Sequence, residues 1–209
     1  MNLAPSSPST RIDAVVVLAG GEGRRLGGPK AWLGWGGRPL LLHLVERLAA
    51  LSGAPPVVVG TPGMELPPGR YARVDDARIG EGPLAGLAAG LGAVEAIDVG
   101  ARVAVCACDC PFVGPELFRF LAGVDPQAKV VVPKFGDHLH PLIAIWRAGT
   151  AAACRRALER GERRVLAALE ELAPRVVPAE EFPAGFDLAR TLFNLNDRRD
   201  LLRARSWRS

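Results

Sequence analysis

Closely spaced glycines stand with two arginines and a lysine in Leu18-Ala-Gly-Gly-Glu-Gly-Arg-Arg-Leu-Gly-Gly-Pro-Lys30. Glycines let backbone N–H groups converge on an anion, and Arg24, Arg25 and Lys30 can neutralise the charges of a nucleoside triphosphate. Spacing excludes two familiar glycine loops. The pair Gly21-x-Gly23 meets Leu26 where a dinucleotide fold needs its third glycine. Gly23 and Gly28 are spaced as in a Walker A loop, but Pro29 precedes Lys30 and Ala31 replaces the Ser or Thr that would hold magnesium. Farther along, Asp109 follows an apolar run in Cys108-Asp-Cys-Pro111. A carboxylate there can bind magnesium directly or through its waters, or it can form a turn or cap the helix that Pro115 opens. Asp76 can accept from ribose hydroxyls or from the N1–H and N2 edge of guanine, join a metal site through water, or serve as a turn carboxylate beside Asp75.

These groups need elements to bring them together. The run Ala14 to Val17 reads as a buried strand emptying into the glycine loop. Leu40, Leu41, Leu44, Val45, Leu48 and Leu51 recur at helical spacing, and Gly53-Ala-Pro-Pro56 closes that segment before a strand at Val57, Val58 and Val59. A strand from Tyr71 to Val74, a helix from Pro83 to Ile97 rich in small residues, and a strand from Arg102 to Ala107 follow. Strands alternating with helices imply right-handed crossovers and a parallel sheet, with ligands beyond the C-terminal strand ends. Gly20, Asp76 and Asp109 each lie just past such an end. In the second half, Val130 to Val132 and Leu142 to Trp146 read as strands flanking a loop from Lys134 to Pro141, with helices at Ala151 to Glu159 and Arg164 to Leu172.

With 209 residues the expectation is one domain over residues 12–209, after a disordered tail at 1–11. Residues 12–112 are expected to bind nucleotide and 113–209 the acceptor. A net charge of +4 and a pI near 9.2 suit an anionic small molecule. The basic run Arg198, Arg199, Arg203, Arg205 and Arg208 carries Trp207 as its one stacking aromatic, so it reads as a solvated helix end rather than a nucleic-acid surface. No apolar stretch approaches the roughly 20 residues a membrane span needs, and residues 1–11 lack a hydrophobic signal core, so a soluble, cytoplasmic protein is expected. Cys106, Cys108 and Cys110 alternate onto one face, as core thiols or as a C-x-C-x-C metal cluster.

The glycine loop resembles the LAGG-x-x-x-R-M-G signature, followed shortly by Lys, of the molybdenum cofactor guanylyltransferase family, with Leu26 where the family usually has Met. Further matches are Asp75-Asp76 with Gly82-Pro-Leu-Ala-Gly86, Cys108-Asp109-Cys110-Pro111, His140-Pro141-Leu142, Gly161-Glu162-Arg163-Arg164 and Phe193-Asn-Leu-Asn196, so the resemblance spans nearly the whole chain. It implies an α/β, Rossmann-like three-layer nucleotidyltransferase fold with a mostly parallel central sheet. The implied reaction is magnesium-dependent transfer of GMP from GTP to the terminal phosphate of molybdenum-molybdopterin. By the same resemblance Arg25, Lys30 and Asp109 are catalytic and Asp109 holds Mg²⁺. Leu18, Ala19, Gly20, Gly21, Lys30, Asp76 and Asp109 contact GTP, and His140, Asn194 and Asn196 the pterin acceptor. Enzymes of molybdenum cofactor biosynthesis, or those that accept the cofactor, are the implied protein partners; nucleic acid and membrane are not. Gly28-x-Lys30 with Pro29 between is also the form of a cytidylyl branch, which stays as an alternative beside a sugar-phosphate nucleotidyltransferase and a noncatalytic nucleotide binder.

Overall fold

The computed structural model describes residues 10–21, 23, 26–76, 78 and 80–207. Valine-rich runs become strands because β-branched side chains suit a pleated surface buried on both sides. β1 (Ala14–Leu18) leads through the glycine loop and a short hairpin, β2 (Gly34–Trp35) with β3 (Arg38–Pro39), into α1 (Leu40–Leu48). α1 buries Leu40, Leu41, Leu44, Val45 and Leu48 on one stripe, and a tighter turn at Ala49–Leu51 ends it. β4 (Val57–Gly60), β5 (Ala72–Asp75), α2 (Pro83–Glu95) and β6 (Arg102–Ala107) follow. The remaining elements are α3 (Pro115–Val124), β7 (Val130–Phe135), β8 (His138–Leu139), β9 (Ile143–Arg147), α4 (Ala151–Glu159), α5 (Val165–Glu170), β10 (Arg175–Val177), α6 (Leu188–Thr191) and α7 (Arg198–Ser206).

Among the described residues eight strands form one sheet in the order β10-β7-β9-β6-β1-β4-β5, with β8 paired to β7. β1 is parallel to β4 and β6, β4 to β5, and β7 to β10, while β9 runs antiparallel to β6 and β7. The sheet is therefore mostly parallel, as expected, with β9 the inserted exception. Strand alternation splits the core into two layers. Val15 and Val17 face α1, α3 and α7, whereas Val16 and Leu18 face α2, α4 and α5. Helices on both faces of one sheet make a three-layer α/β fold.

α2 shows why small residues were needed. A Cβ on Gly90 would stand 2.6 Å from Cγ1 of Val16 and 3.0 Å from Cγ2 of Val59, so any larger residue would lift the helix off β1 and β4. That close seat fixes the N-terminal turn of α2 over the ends of those strands.

Three expectations are corrected or refined here. The segment Lys134 to Pro141 is not all loop: β7 continues to Phe135 and pairs Lys134 with Leu139 and Phe135 with His138. The two-residue turn Gly136-Asp137, with Gly136 at φ +56°, suits a tight hairpin. Asp109 does not cap α3, whose cap position is Gly114 with no side-chain bond. β6 ends at Ala107, yet Cys106, Cys108 and Cys110 all enter the same core layer, so they share a face although the strand does not continue. The expected tail falls mainly on residues 1–9, outside the described residues, as does Arg208. Trp207 is already stacked, with Phe112, Phe193 and the Arg203 guanidinium around it. Among the described residues, no helix is long and apolar enough to cross a membrane.

Candidate active site

β1 is the point where chain direction across the sheet reverses: α1 carries the chain to β4 on one side, and α2 carries it back to β6 on the other. Such a switch leaves a crevice beyond the C-terminal strand ends. A cavity of about 750 Å³ occupies it. Ladder bonds continue past the strands and hold its walls in register. Ala19 N–H donates to Val59 O (2.8 Å), Asp76 N–H to Gly60 O (2.8 Å), Cys108 N–H to Leu18 O (3.0 Å) and Ala107 N–H to Leu142 O (2.8 Å).

The glycine loop is folded back on itself. The Gly23 carbonyl accepts from Leu26 N–H at 2.7 Å and Gly28 N–H at 3.4 Å, and a Cβ at Gly23 would lie 2.0 Å from Gly28 O. With φ at +56° as well, only glycine fits there. The loop returns the chain to the cavity at Pro29 and Lys30, opposite Gly20 and Gly21. A short helical turn, Lys30–Trp32, then fixes the lysine backbone through Trp32 N–H to Pro29 O (3.0 Å) and Leu33 N–H to Lys30 O (3.1 Å).

Lys30 and Asp109 meet. Nζ of Lys30 donates to Oδ2 of Asp109 at 2.7 Å, with both side chains mostly buried. The sequence assigned them separate tasks, on triphosphate and on metal, and the fold makes them partners in one pair. Asp109 is held further by its backbone: its carbonyl accepts from Leu195 N–H at 2.8 Å. The Cys110 thiol sits 3.3 Å from Oδ1 of Asp109 and also donates to Oδ1 of Asn194. Burial first, and then the Asp109 charge, push the Cys110 thiol well above the usual range; Cys108 is pushed up to about 12 for the same reasons. These thiols are therefore protonated at neutral pH and unreactive as nucleophiles. Among the described residues no group of three or more His, Cys, Asp or Glu side chains is placed to hold a metal, so the C-x-C-x-C cluster is not supported.

Asp76 is buried on the cavity wall and accepts from Arg78 N–H at 3.0 Å. Burial raises its carboxyl above the usual range; the Arg78 hydrogen bond and charge oppose that rise and Glu81 adds to it. Gly82, Pro83 and Gly86 bring the first turn of α2 to the same wall, without a side-chain cap. The Arg163 backbone passes beside Gly82, and its guanidinium reaches Glu81 at 3.8 Å, which brings the Gly161 to Arg164 segment to this rim.

Of the residues singled out from sequence, Leu18, Gly20, Gly21, Lys30, Asp76 and Asp109 line one cavity. Ala19 is buried just behind it. Asn194 is half-buried next to Asp109 through Cys110, and Asn196 donates to the Asn194 carbonyl at 3.4 Å, with Leu195 turned into the core between them. His140 is not among the lining residues, although Leu142 is. Burial, with His138 nearby, lowers the His140 pKa. Arg25, and Arg24 beside it, lie outside the described residues. Thr61, Pro62 and Met64 line the cavity and were missed. They follow β4, so the strand-end rule that located Gly20, Asp76 and Asp109 would have found them.

Residues 15–173 match the family model described as the MobA-like NTP transferase domain. The chain belongs to this family. It is accordingly a nucleotidyltransferase. This MobA-like chain is 32% identical, over 91% of its length and 90% of the relative's, to a probable molybdenum cofactor guanylyltransferase of Pelotomaculum thermopropionicum. It is 37% identical to one of Mycobacterium tuberculosis H37Rv, over 87% of this chain and 91% of that one. Among solved structures it is similar to molybdopterin-guanine dinucleotide biosynthesis protein A of Archaeoglobus fulgidus, with a TM-score of 0.75, 27% identity, and coverage of 93% and 97% of the two chains. A 2-C-methyl-D-erythritol 4-phosphate cytidylyltransferase of Thermus thermophilus shares the fold at TM-score 0.66 and 20% identity, with coverage of 94% and 98%.

Proposed function

We propose that this nucleotidyltransferase moves GMP from GTP to the terminal phosphate of molybdenum-molybdopterin, giving a guanine dinucleotide cofactor and pyrophosphate. The observation that carries this reading is the Lys30–Asp109 pair at the foot of the cavity where β1, β4, β5 and β6 end. An acceptor phosphate oxygen attacks the α-phosphorus, the bond from that phosphorus to the bridging oxygen breaks, and pyrophosphate leaves with the electron pair. The acceptor is already anionic near neutral pH, so positioning and charge neutralisation dominate over proton transfer.

The residues divide that work. The glycine loop and the first turn of α2 offer backbone N–H groups to the triphosphate, and Lys30 supplies a mobile positive charge that can pass from Asp109 to a phosphate oxygen. The donor set suits magnesium: Asp109 and Asp76 line one cavity and offer the hard carboxylate oxygens that this ion takes. When bound, that ion would neutralise phosphate charge. Residues 12–112 serve the nucleotide; residues 113–209 serve the acceptor, with Asn194 and Asn196 reading the pterin edge and His140 nearby. The names of the relatives support guanine and molybdopterin as the substrates. The working compartment is the cytoplasm.

Thermal shift with each nucleoside triphosphate plus magnesium tests the base. Binding at a hundredfold excess over Kd stabilises by about 2.7 kcal/mol, a readily measured rise in Tm. GTP should raise Tm most, and pyrophosphate should appear when molybdenum-molybdopterin is added. A shift with CTP alone would instead support the cytidylyl branch.

A further inference from the structure

Trp32 is large, aromatic and 44% exposed, and it lies outside the cavity. Its indole Nε1–H donates to the Glu65 carbonyl at 2.9 Å, across 33 residues of chain. The two segments that it joins both carry residues that line the site. On one side Lys30–Trp32 is a single rigid turn, with Lys30 and Pro29 facing the cavity. On the other, the segment after β4 has neither helix nor strand, and it presents Thr61, Pro62 and Met64. Two tethers bracket those lining residues. Arg73 Nη2 donates to the Thr61 carbonyl at 3.3 Å, and Trp32 holds the Glu65 carbonyl. Between them the chain is steadied by Met64 N–H to Thr61 O at 3.0 Å.

We propose that Trp32 is a specificity-determining positioning residue, a brace that sets the spacing between the phosphate wall and the 61–64 wall of the nucleotide site. The inference rests on the nucleotide reading above. A nucleoside triphosphate held at Lys30 by its phosphates places its base a fixed distance away. Contacts that distinguish bases must come from lining residues away from Lys30, and Thr61, Pro62 and Met64 of the 61–64 wall are among these. If that wall is held in register with Lys30, a base of the wrong size or edge loses contact. If the wall is free to shift, it adapts to any base and discrimination falls. The hydrogen bond is exposed and ordinary in length, so its contribution corresponds to about a fivefold change in relative affinity.

Trp32→Phe keeps the ring and removes the donor. Its test is calorimetric titration of wild type and variant with GTP, ATP, CTP, UTP and inorganic tripolyphosphate, all with magnesium, together with the Tm of the unliganded chain. The expected result is an unchanged Tm and tripolyphosphate affinity, with the ratio between the preferred and the next triphosphate reduced about fivefold. An unchanged ratio overturns the proposal, and so does an equal loss for every ligand including tripolyphosphate, which would mark Trp32 as a support of the whole site. A wild type that binds all four alike overturns it too. A wild-type preference for a nucleotide other than GTP would overturn the guanylyl assignment alone, and the brace would stand if that preference collapsed in Trp32→Phe.

Discussion

The two halves of the sheet solve different problems. Around β1 the strands are parallel and in sequence each ends at the cavity, so Gly20, Gly60, Asp76 and Asp109 reach it from four strand ends. Beyond β6 a reversed strand, β9, stands before β7 and β10 resume the common direction, and of that half the cavity touches only Leu142 among the described residues. The second half reaches the site differently, through the segment before α7, which hydrogen-bonds the Asp109 loop by way of Leu195 and Asn194. One half builds a pocket from its topology. The other attends it with a strap of chain at 194–195, beside Leu142 on the wall and Arg163 at the rim.

The sharpest break in that comparison is Asp109→Asn, because Asp109 bonds to both halves, its carboxylate to Lys30 and its carbonyl to Leu195. It preserves size, removes the charge that pairs with Lys30, and should slow nucleotidyl transfer at least about a hundredfold with the fold retained. Turnover equal to wild type across a magnesium titration would remove Asp109 from the chemistry. Asn194→Ala tests the strap alone. Transfer to the acceptor should fall on the order of tenfold, in proportion to a lost hydrogen-bonding group, while GTP affinity measured by calorimetry stays within about twofold. Equal losses in both would mean that the halves are not divided as described.

Asp76→Asn separates stability from binding within the first half. Burial raises the Asp76 pKa, so the native chain holds that proton more tightly than the unfolded one. The associated stability is present at low pH and is lost as pH rises through the native value, because ionising the buried carboxyl is costly. The amide should therefore raise the Tm of the unliganded protein by on the order of a few degrees at pH 7 while weakening GTP binding. A lower Tm would show that the Arg78 contact outweighs the burial cost. The smallest effect belongs to the second half. The His140 pKa is lowered by burial and by His138, so its stabilising share is present above the unfolded value of about 6.5 and is lost as pH falls through the native value. Denaturant midpoints from pH 7.5 to 5 should fall less steeply in His140→Leu; parallel curves would refute that assignment.

The same contrast explains what could be read before any coordinates. In the first half the strands, helices and strand-end carboxylates follow from apolar runs and one topological rule, and β6 matches its sequence bounds, as α4 does in the second half. The direction of β9 was not legible, since a fully buried strand reads as an apolar run whichever way it points. β8 and β10 are too short to show a period. The cavity wall at Thr61, Pro62 and Met64 offers no titratable group to draw notice. The Lys30–Asp109 contact joins residues 79 apart in sequence, a pairing that no local pattern encodes.

The strap also sets an order of assembly. Cys110 and Asn194 are 84 residues apart. At a synthesis rate of about 5–20 residues per second, the segment that secures the Asp109 loop follows Cys110 by roughly 4–17 s. That contact cannot form until Asn194 and Leu195 have been made, so securing the Asp109 loop is a late step of assembly.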